Sequence, residues 1–251
     1  KADECWLIIH GYRGYPGEFV RPAVELYEAG FDVFVPRLPG HGTSCKDFIA
    51  SHGKDWIRYS RNAAEDLKKR YSKVNILGHS MGAAIAAIIG SGDPRIGKII
   101  YACPSFENLM MPFRVRLLLA VLSPFTSKLN CHWKPNSLYS LYYENAPCDD
   151  MYLGMEYWTW YFTRQLHDYY KISRNGLKAV TAYPHEHLLL CPEDDTLISV
   201  PSMEQYSAAV GDRKNVKMIE HGSHFLFYDK DRQAQEDSVN AVVEYAKNIE
   251  I

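Results

Sequence analysis

The sequence predicts an α/β protein: a mostly parallel, twisted sheet flanked by helices, with a helical cap inserted between two of its strands. Three observations carry this expectation. Short, continuously apolar runs such as Cys5-Trp6-Leu7-Ile8-Ile9 and Leu188-Leu189-Leu190-Cys191 suit strands buried on both faces, as in parallel sheets. Segments with apolar residues at helical spacing alternate with these runs. Residues 105–183 break the alternation and gather aromatics, densest at Tyr157-Trp158-Thr159-Trp160-Tyr161-Phe162. The expected organisation is therefore a core of residues 1–104 and 184–251 with a cap of residues 105–183 folded over the strand ends.

The first strand spans residues 4–9 and gives way to the glycine-rich loop His10-Gly11-Tyr12-Arg13-Gly14. Phe19, Ala23, Leu26 and Tyr27 have helical spacing, and Gly30 stops that helix. A strand at 31–35 ends at Pro36 and is followed by the turn-dense Arg37-Leu38-Pro39-Gly40-His41-Gly42-Thr43-Ser44. Trp56, Tyr59, Ala63 and Leu67 mark the next helix, with basic residues at its C-terminal end. The run Val74, Ile76, Leu77 then leads through Gly78-His79-Ser80-Met81-Gly82 into an Ala/Ile-rich helix. A strand at 98–103 stops at Pro104. After the aromatic insertion the pattern resumes with a strand at 187–191, a helix near 202–210, a strand at 215–219 and a closing helix around 236–249.

The chain has 251 residues, 47% of them hydrophobic, so it can bury a sizeable core as one domain with an insertion. Its 28 basic and 30 acidic side chains leave a net charge of −2, without the basic excess that nucleic-acid binding demands. Six cysteines occur without a C-x-x-C pair, and three sit in apolar runs, a pattern expected of buried free thiols in a reducing, cytoplasmic setting. The chain opens almost directly on a strand, which is also compatible with a removed leader. No apolar run is long enough to span a bilayer.

The chemistry centres on Ser80. A strand that turns abruptly into a helix lifts its middle residue clear of the backbone, provided that the positions two before and two after are tiny. Gly78 and Gly82 meet that demand. Such a serine needs a base, and the base an orienting carboxylate, both on loops after later strands. Asp195, in Pro192-Glu193-Asp194-Asp195, is preferred to Asp194 and Glu193 because Leu197-Ile198 re-anchors the loop just beyond it. His224 is preferred to His221 because Phe225 begins a new apolar run that can pin it. The N–H groups of Met81, first in the following helix, and of Tyr12, beside the small Gly11, are the candidate oxyanion donors. Their side chains are expected to line the pocket, with core filling the alternative for Met81. Trp158, Trp160 and Tyr161 are candidate pocket walls. The run Phe113 to Leu122 is read as a cap helix with its apolar side towards the pocket rather than on a membrane surface. His10 and His41 are assigned to turn stabilisation, and neither a metal nor a cofactor is expected.

Taken together, His10-Gly11-Tyr12-Arg13-Gly14, Pro39-Gly40-His41-Gly42, Gly78-His79-Ser80-Met81-Gly82 and the later Asp195 and His224 resemble the α/β-hydrolase superfamily, and within it the carboxylesterase and monoacylglycerol-lipase-like branch. The resemblance spans residues 4–104 and 185–251. It implies cofactor-free hydrolysis of a small-molecule ester under a cap, with Ser80 as nucleophile, Asp195 and His224 as its partners, and Tyr12 and Met81 as oxyanion donors. The family usually carries an antiparallel strand pair ahead of the first parallel strand. This sequence opens directly on that strand, which is compatible with either a trimmed chain or a smaller sheet, and the cap of residues 105–183 carries no motif to align. The leading expectation is a serine esterase for small to medium acyl or aryl esters. Its rivals are a lipid hydrolase, an aminopeptidase or amidase using Glu144 or Glu156 to hold an ammonium group, and a ligand-binding module without turnover.

Overall fold

The computed structural model describes residues 2–106, 113–130, 160–182, 187–198, 206, 210 and 214–249. In chain order the described elements are β1 (Glu4–Ile9), α1 (Val20–Glu28), β2 (Asp32–Phe34), α2 (Cys45–Ala50), α3 (Gly53–Lys68), β3 (Lys73–His79), α4 (Met81–Gly90), β4 (Ile96–Ala102), α5 (Phe113–Leu122), β5 (Lys128–Asn130), β6 (Trp160–Phe162), α6 (Thr163–Ala182), β7 (His187–Pro192), β8 (Lys214–Ile219) and α7 (Arg232–Ala246). A single 3-10 turn at Pro16–Phe19 leads into α1, and another at Leu226–Tyr228 precedes α7.

Six strands form one parallel sheet in the order β2-β1-β3-β4-β7-β8. Side chains alternate across it, so each continuous apolar run serves two cores. Cys5, Leu7 and Ile9 of β1 face one cluster with Trp56 of α3 and the alanines of α4; Trp6 and Ile8 face the other, with Leu26 of α1 and Val239 and Val242 of α7. Ile99 and Tyr101 of β4, and Leu189 and Cys191 of β7, divide from their neighbours in the same way. Burial on both faces is what removes the polar alternation from these strands.

The chain runs from β1 to β2 on one side and returns to β3 on the other, so the strand order reverses between β1 and β3. The crevice beyond the carboxyl ends of such a pair is where open α/β sheets bind ligands. The loop after β1 and the turn after β3 are the two segments that border it.

Several elements differ in detail from the sequence expectation. Helix α2 forms directly after the turn-dense loop, whose last residue, Ser44, caps it, accepting from Asp47 N–H (3.1 Å). Between β4 and β7, residues expected to be helical include an antiparallel pair, β5 with β6, placing Trp160 opposite Asn130. Helix α6 packs on α4: a Cβ on Gly176 would lie 2.7 Å from Ala84 Cα, so glycine permits the approach. Ile172 and Val180 of α6 join the core cluster of α4. The closing helix begins earlier than expected, at Arg232, where the Asp231 carboxylate accepts from Gln233 and Ala234 N–H. Of the helix expected near 202–210, only Tyr206 and Val210 are described, both buried. Cys5, Cys45, Cys103 and Cys191 are buried free thiols, while Cys131 and Cys148 lie outside the described residues.

Candidate active site

Ser80 stands between β3 and α4 with φ 53° and ψ −115°, a conformation that a non-glycine residue holds only under constraint, at about 1–3 kcal/mol. The constraint is visible on every side. Ser80 N–H donates to Ala102 O (2.9 Å), and Ser80 O accepts from Ala83 N–H (3.1 Å) and Ser105 N–H (3.3 Å). A Cβ on Gly78 would collide with the Gly82 carbonyl, and one on Gly82 with the Ile9 carbonyl and, at 2.7 Å, the His10 carbonyl. The two glycines thus allow α4 to begin directly against the end of β1. Gly11 continues that approach, since its Cβ would sit 3.2 Å from Ser80 Cβ.

The loops after β7 and β8 bring Asp195 and His224 together. His224 Nδ1–H donates to Asp195 Oδ2 at 2.8 Å, leaving Nε2 as the acceptor nitrogen. Asp195 Oδ1 accepts from Leu197 N–H (2.7 Å) and Ile198 N–H (2.9 Å), the re-anchoring expected of Leu197-Ile198. Burial raises the Asp195 pKa, but the adjoining imidazole and these hydrogen bonds outweigh it and hold the carboxyl below its ordinary value. The neighbouring acids build the loops instead. Glu193 Oε2 accepts from His221 N–H (3.2 Å), and Asp194 N–H donates to Gly222 O (2.9 Å).

Ser80 and His224 line one cavity of about 360 Å³, together with Gly11, Tyr12, Trp160, Tyr161, Leu166, Tyr169 and Phe225. Among the described residues, Ser80 Oγ makes no hydrogen bond to His224; catalytic contacts are often long before substrate binds. Neither Tyr12 N–H nor Met81 N–H enters a turn, loop or cap hydrogen bond among the described residues. Met81, as the first residue of α4, has no partner within its helix, and the dipole's positive end lies there.

Trp160 and Tyr161, on β6, are among the cavity walls, whereas Trp158 lies outside the described residues. The Met81 side chain is not: it is fully buried in the core, the alternative role. Helix α5 also departs from expectation, as none of its residues lines the cavity. Its apolar residues surround the helix rather than forming a stripe, and only Leu119 is buried while Phe113, Leu117 and Leu118 are exposed.

Three cavity residues had no clear signal in the sequence. His79 Nε2–H donates to the His224 carbonyl (2.8 Å), tying the elbow to the histidine loop, and Cys103 Sγ–H donates to the same carbonyl (3.4 Å). Tyr169, buried on α6, stacks on Tyr12 with ring centroids 5.0 Å apart. Glu18 packs against Gly14, whose Cβ would meet its carboxylate at 2.6 Å. Burial pushes the Glu18 carboxyl up to about 8 despite hydrogen bonds with Tyr228 and Tyr15. His10, beside the cavity, bridges two loops: Nδ1–H donates to Gly11 O and Nε2 accepts from Leu38 N–H, both at 3.0 Å. Among the described residues His79, Cys103 and His224 bring potential metal-ligand atoms within 4.8 Å of one another, but His79 Nε2 and Cys103 Sγ are already engaged by the His224 carbonyl. No helix among the described residues is long and apolar enough to cross a membrane.

Comparison with known proteins agrees with this architecture. The chain is similar to a thermostable monoacylglycerol lipase from Bacillus sp. (strain H-257), 34% identical over 95 residues that cover 38% of each chain. It is also similar to Lipase 1 from Psychrobacter immobilis, 30% identical over 104 residues, or 41% of this chain and 32% of that protein. The matched stretches thus span less than half of these relatives' own length. Among solved structures, the monoacylglycerol lipase of Paleococcus ferrophilus superposes with a TM-score of 0.75 at 18% identity, covering 96% of this chain and 92% of that one. The match to the alpha/beta hydrolase family runs from residue 6 to residue 236, nearly the whole chain, and the protein belongs to that family.

Proposed function

We propose that the protein is a serine hydrolase of small-molecule carboxylic esters, acting through Ser80, His224 and Asp195 beneath a cap of residues 105–183. The observation that carries the proposal is the opening of a strained serine and a carboxylate-oriented histidine onto one apolar-walled cavity. In the first half-reaction Ser80 Oγ attacks the ester carbonyl while His224 Nε2 takes its proton. The Asp195 carboxylate, kept ionised, stabilises the imidazolium. The Tyr12 and Met81 N–H groups receive the oxyanion, and His224 then protonates the departing alcohol. Water repeats the sequence on the acyl-enzyme and returns Ser80.

The cavity of about 360 Å³, walled by Tyr12, Trp160, Tyr161 and Leu166, supports short to medium acyl or aryl groups. The similarity to a monoacylglycerol lipase supports a second reading, a monoacylglycerol or related lipid ester as substrate. Glu144 and Glu156, which an aminopeptidase would need, lie outside the described residues. Hydrolysis of a series of p-nitrophenyl esters tests the first reading against the second: rates should peak at short or medium acyl chains, and a peak at long chains would favour the lipid ester. Ser80→Ala should lower turnover by about 10⁴-fold or more. Near-normal hydrolysis by that variant would remove the assignment.

A further inference from the structure

Arg13 places a permanent positive charge in the wall of the cavity that Ser80 and His224 share. It belongs to the turn after β1, which Gly14 N–H closes by donating to Gly11 O (3.1 Å), and it stands third in that turn with φ 61°. A left-handed residue at this position is ordinarily glycine, because a Cβ is crowded there. The chain has glycine at 11 and 14 but arginine at 13, so the turn bears backbone strain that glycine would remove. Strain kept at a cavity wall points to a task for the side chain.

The guanidinium is oriented by two neighbours. Nη1–H donates to the Trp160 carbonyl on β6 (3.3 Å), and Cζ lies 5.3 Å from the centre of the Tyr12 ring. Tyr12 and Trp160 are two of the walls against which an acyl group would lie, so the charge belongs to the acyl side of the cavity. A bond to a carbonyl and a contact with a ring fix a guanidinium without cancelling its charge. Glu18, the one carboxyl among the described walls, does not cancel it either, since burial keeps its proton in place up to about pH 8. Beside aromatic walls that exclude water such a charge favours an anion, and the planar fork of arginine fits an oxyanion of two or three oxygens. One cation matches the single charge of a carboxylate better than the nearly double charge of a phosphate monoester. A cavity of about 360 Å³ admits that carboxylate on a small substrate.

We propose that Arg13 is a specificity-determining residue that receives a carboxylate carried by the acyl group, so that the preferred substrate is a half-ester of a short dicarboxylic acid. The inference rests on the protein being an ester hydrolase that acts through Ser80. It adds the charge of the substrate and the side chain that selects it.

The test measures methanol release from the monomethyl esters of succinate, glutarate and adipate at neutral pH, each against the methyl ester in which a primary amide replaces the free carboxylate. The two differ in charge but hardly in size, so the ratio of their kcat/KM values reads recognition of the charge. Wild type should favour the carboxylate by about ten- to hundredfold at the best chain length, the worth of one charged hydrogen bond. Arg13→Gln should abolish the preference, and Arg13→Lys, which keeps the charge without the fork, should retain part of it. A merely structural role in the turn would change both rates alike and leave the ratio where it was. Ser80 labelling by a small alkyl fluorophosphonate reports the folding of each variant, and Arg13→Gly, which relieves the turn, takes the place of Arg13→Gln should that chain fail to fold. Half-esters cleaved no faster than their amides by wild type, or a preference that survives in the neutral variant, would overturn the inference while leaving ester hydrolysis in place. Hydrolysis that persists undiminished in Ser80→Ala would instead overturn the reading on which it rests.

Discussion

At the scale of single residues, the site depends on groups with different tasks although they meet in one cavity. Asp195 spends one oxygen on His224 and the other on two backbone N–H groups, so it both fixes the imidazole tautomer and locks its own loop. Asp195→Asn preserves the shape but disturbs that hydrogen-bond order, and ester turnover should fall by about 10⁴-fold, with little change in far-UV circular dichroism. His79 acts one step further out. Its Nε2–H and the Cys103 thiol share the His224 carbonyl, so His79→Leu removes the stronger donor from a buried acceptor. Loss of about 1–3 kcal/mol of stability is expected, together with slower ester hydrolysis, measured by thermal unfolding and initial rates. Ser80, Asp195 and His224 were legible in the sequence because each is marked by its neighbours: flanking glycines, a re-anchoring Leu-Ile pair, a following phenylalanine. Tyr169 carried no such mark, since a tyrosine in a tyrosine-rich insertion is indistinguishable from packing until the fold stacks its ring on Tyr12 in the cavity wall.

At the scale of elements, the turn from β3 into α4 couples backbone strain to access. Gly82→Ala would drive a methyl group into the Ile9 and His10 carbonyls, backbone that cannot swing aside. The variant should lose at least about 1–3 kcal/mol of stability and label poorly with fluorophosphonates, because relief of the clash moves α4 away from the loop holding Tyr12. This element was readable from local sequence, as both glycines answer to contacts within a few residues or with the adjoining strand. Helix α2 carries a local mark too, Ser44 and Asp47 as its cap, which the reading of the sequence left unused. Helix α6 was not readable as a core element. Its packing relies on Gly176 meeting Ala84 on a helix 92 positions earlier, a distance in sequence that periodicity does not span.

For the whole molecule, stability against pH sums the buried titratable groups. Burial, the leading cause in each case, pushes His10 down to about 4 and His79 to about 3, and holds His41 well below its ordinary value. All three are neutral in the folded chain and take up protons on unfolding below about 6.5, so stability falls as pH drops through that range. Glu18 works in the opposite sense. Its carboxyl keeps a proton in the fold up to about pH 8 that the unfolded chain releases near 4.5, so stability falls as pH rises between those values. Three histidines outweigh one glutamate on the acid side, and between 6.5 and about 8 the decline comes from Glu18. The melting temperature should therefore peak near neutrality, and Glu18→Gln should flatten the decline towards pH 8. An equally steep decline in that variant would contradict the role given to Glu18.

By itself the sequence determined the layered sheet, the elbow and the candidate groups around it, because these follow from local spacing and from the period of burial along each strand. Only the tertiary structure decided how the groups meet. Strand order places the reversal between β1 and β3, so the Tyr12 loop and Ser80 share a crevice. The packing of α6 on α4 brings the Tyr169 ring against Tyr12 in the cavity wall. Both outcomes depend on contacts between segments remote in the chain, selected by shape and by the pairing of buried polar groups, which no run of neighbouring residues records.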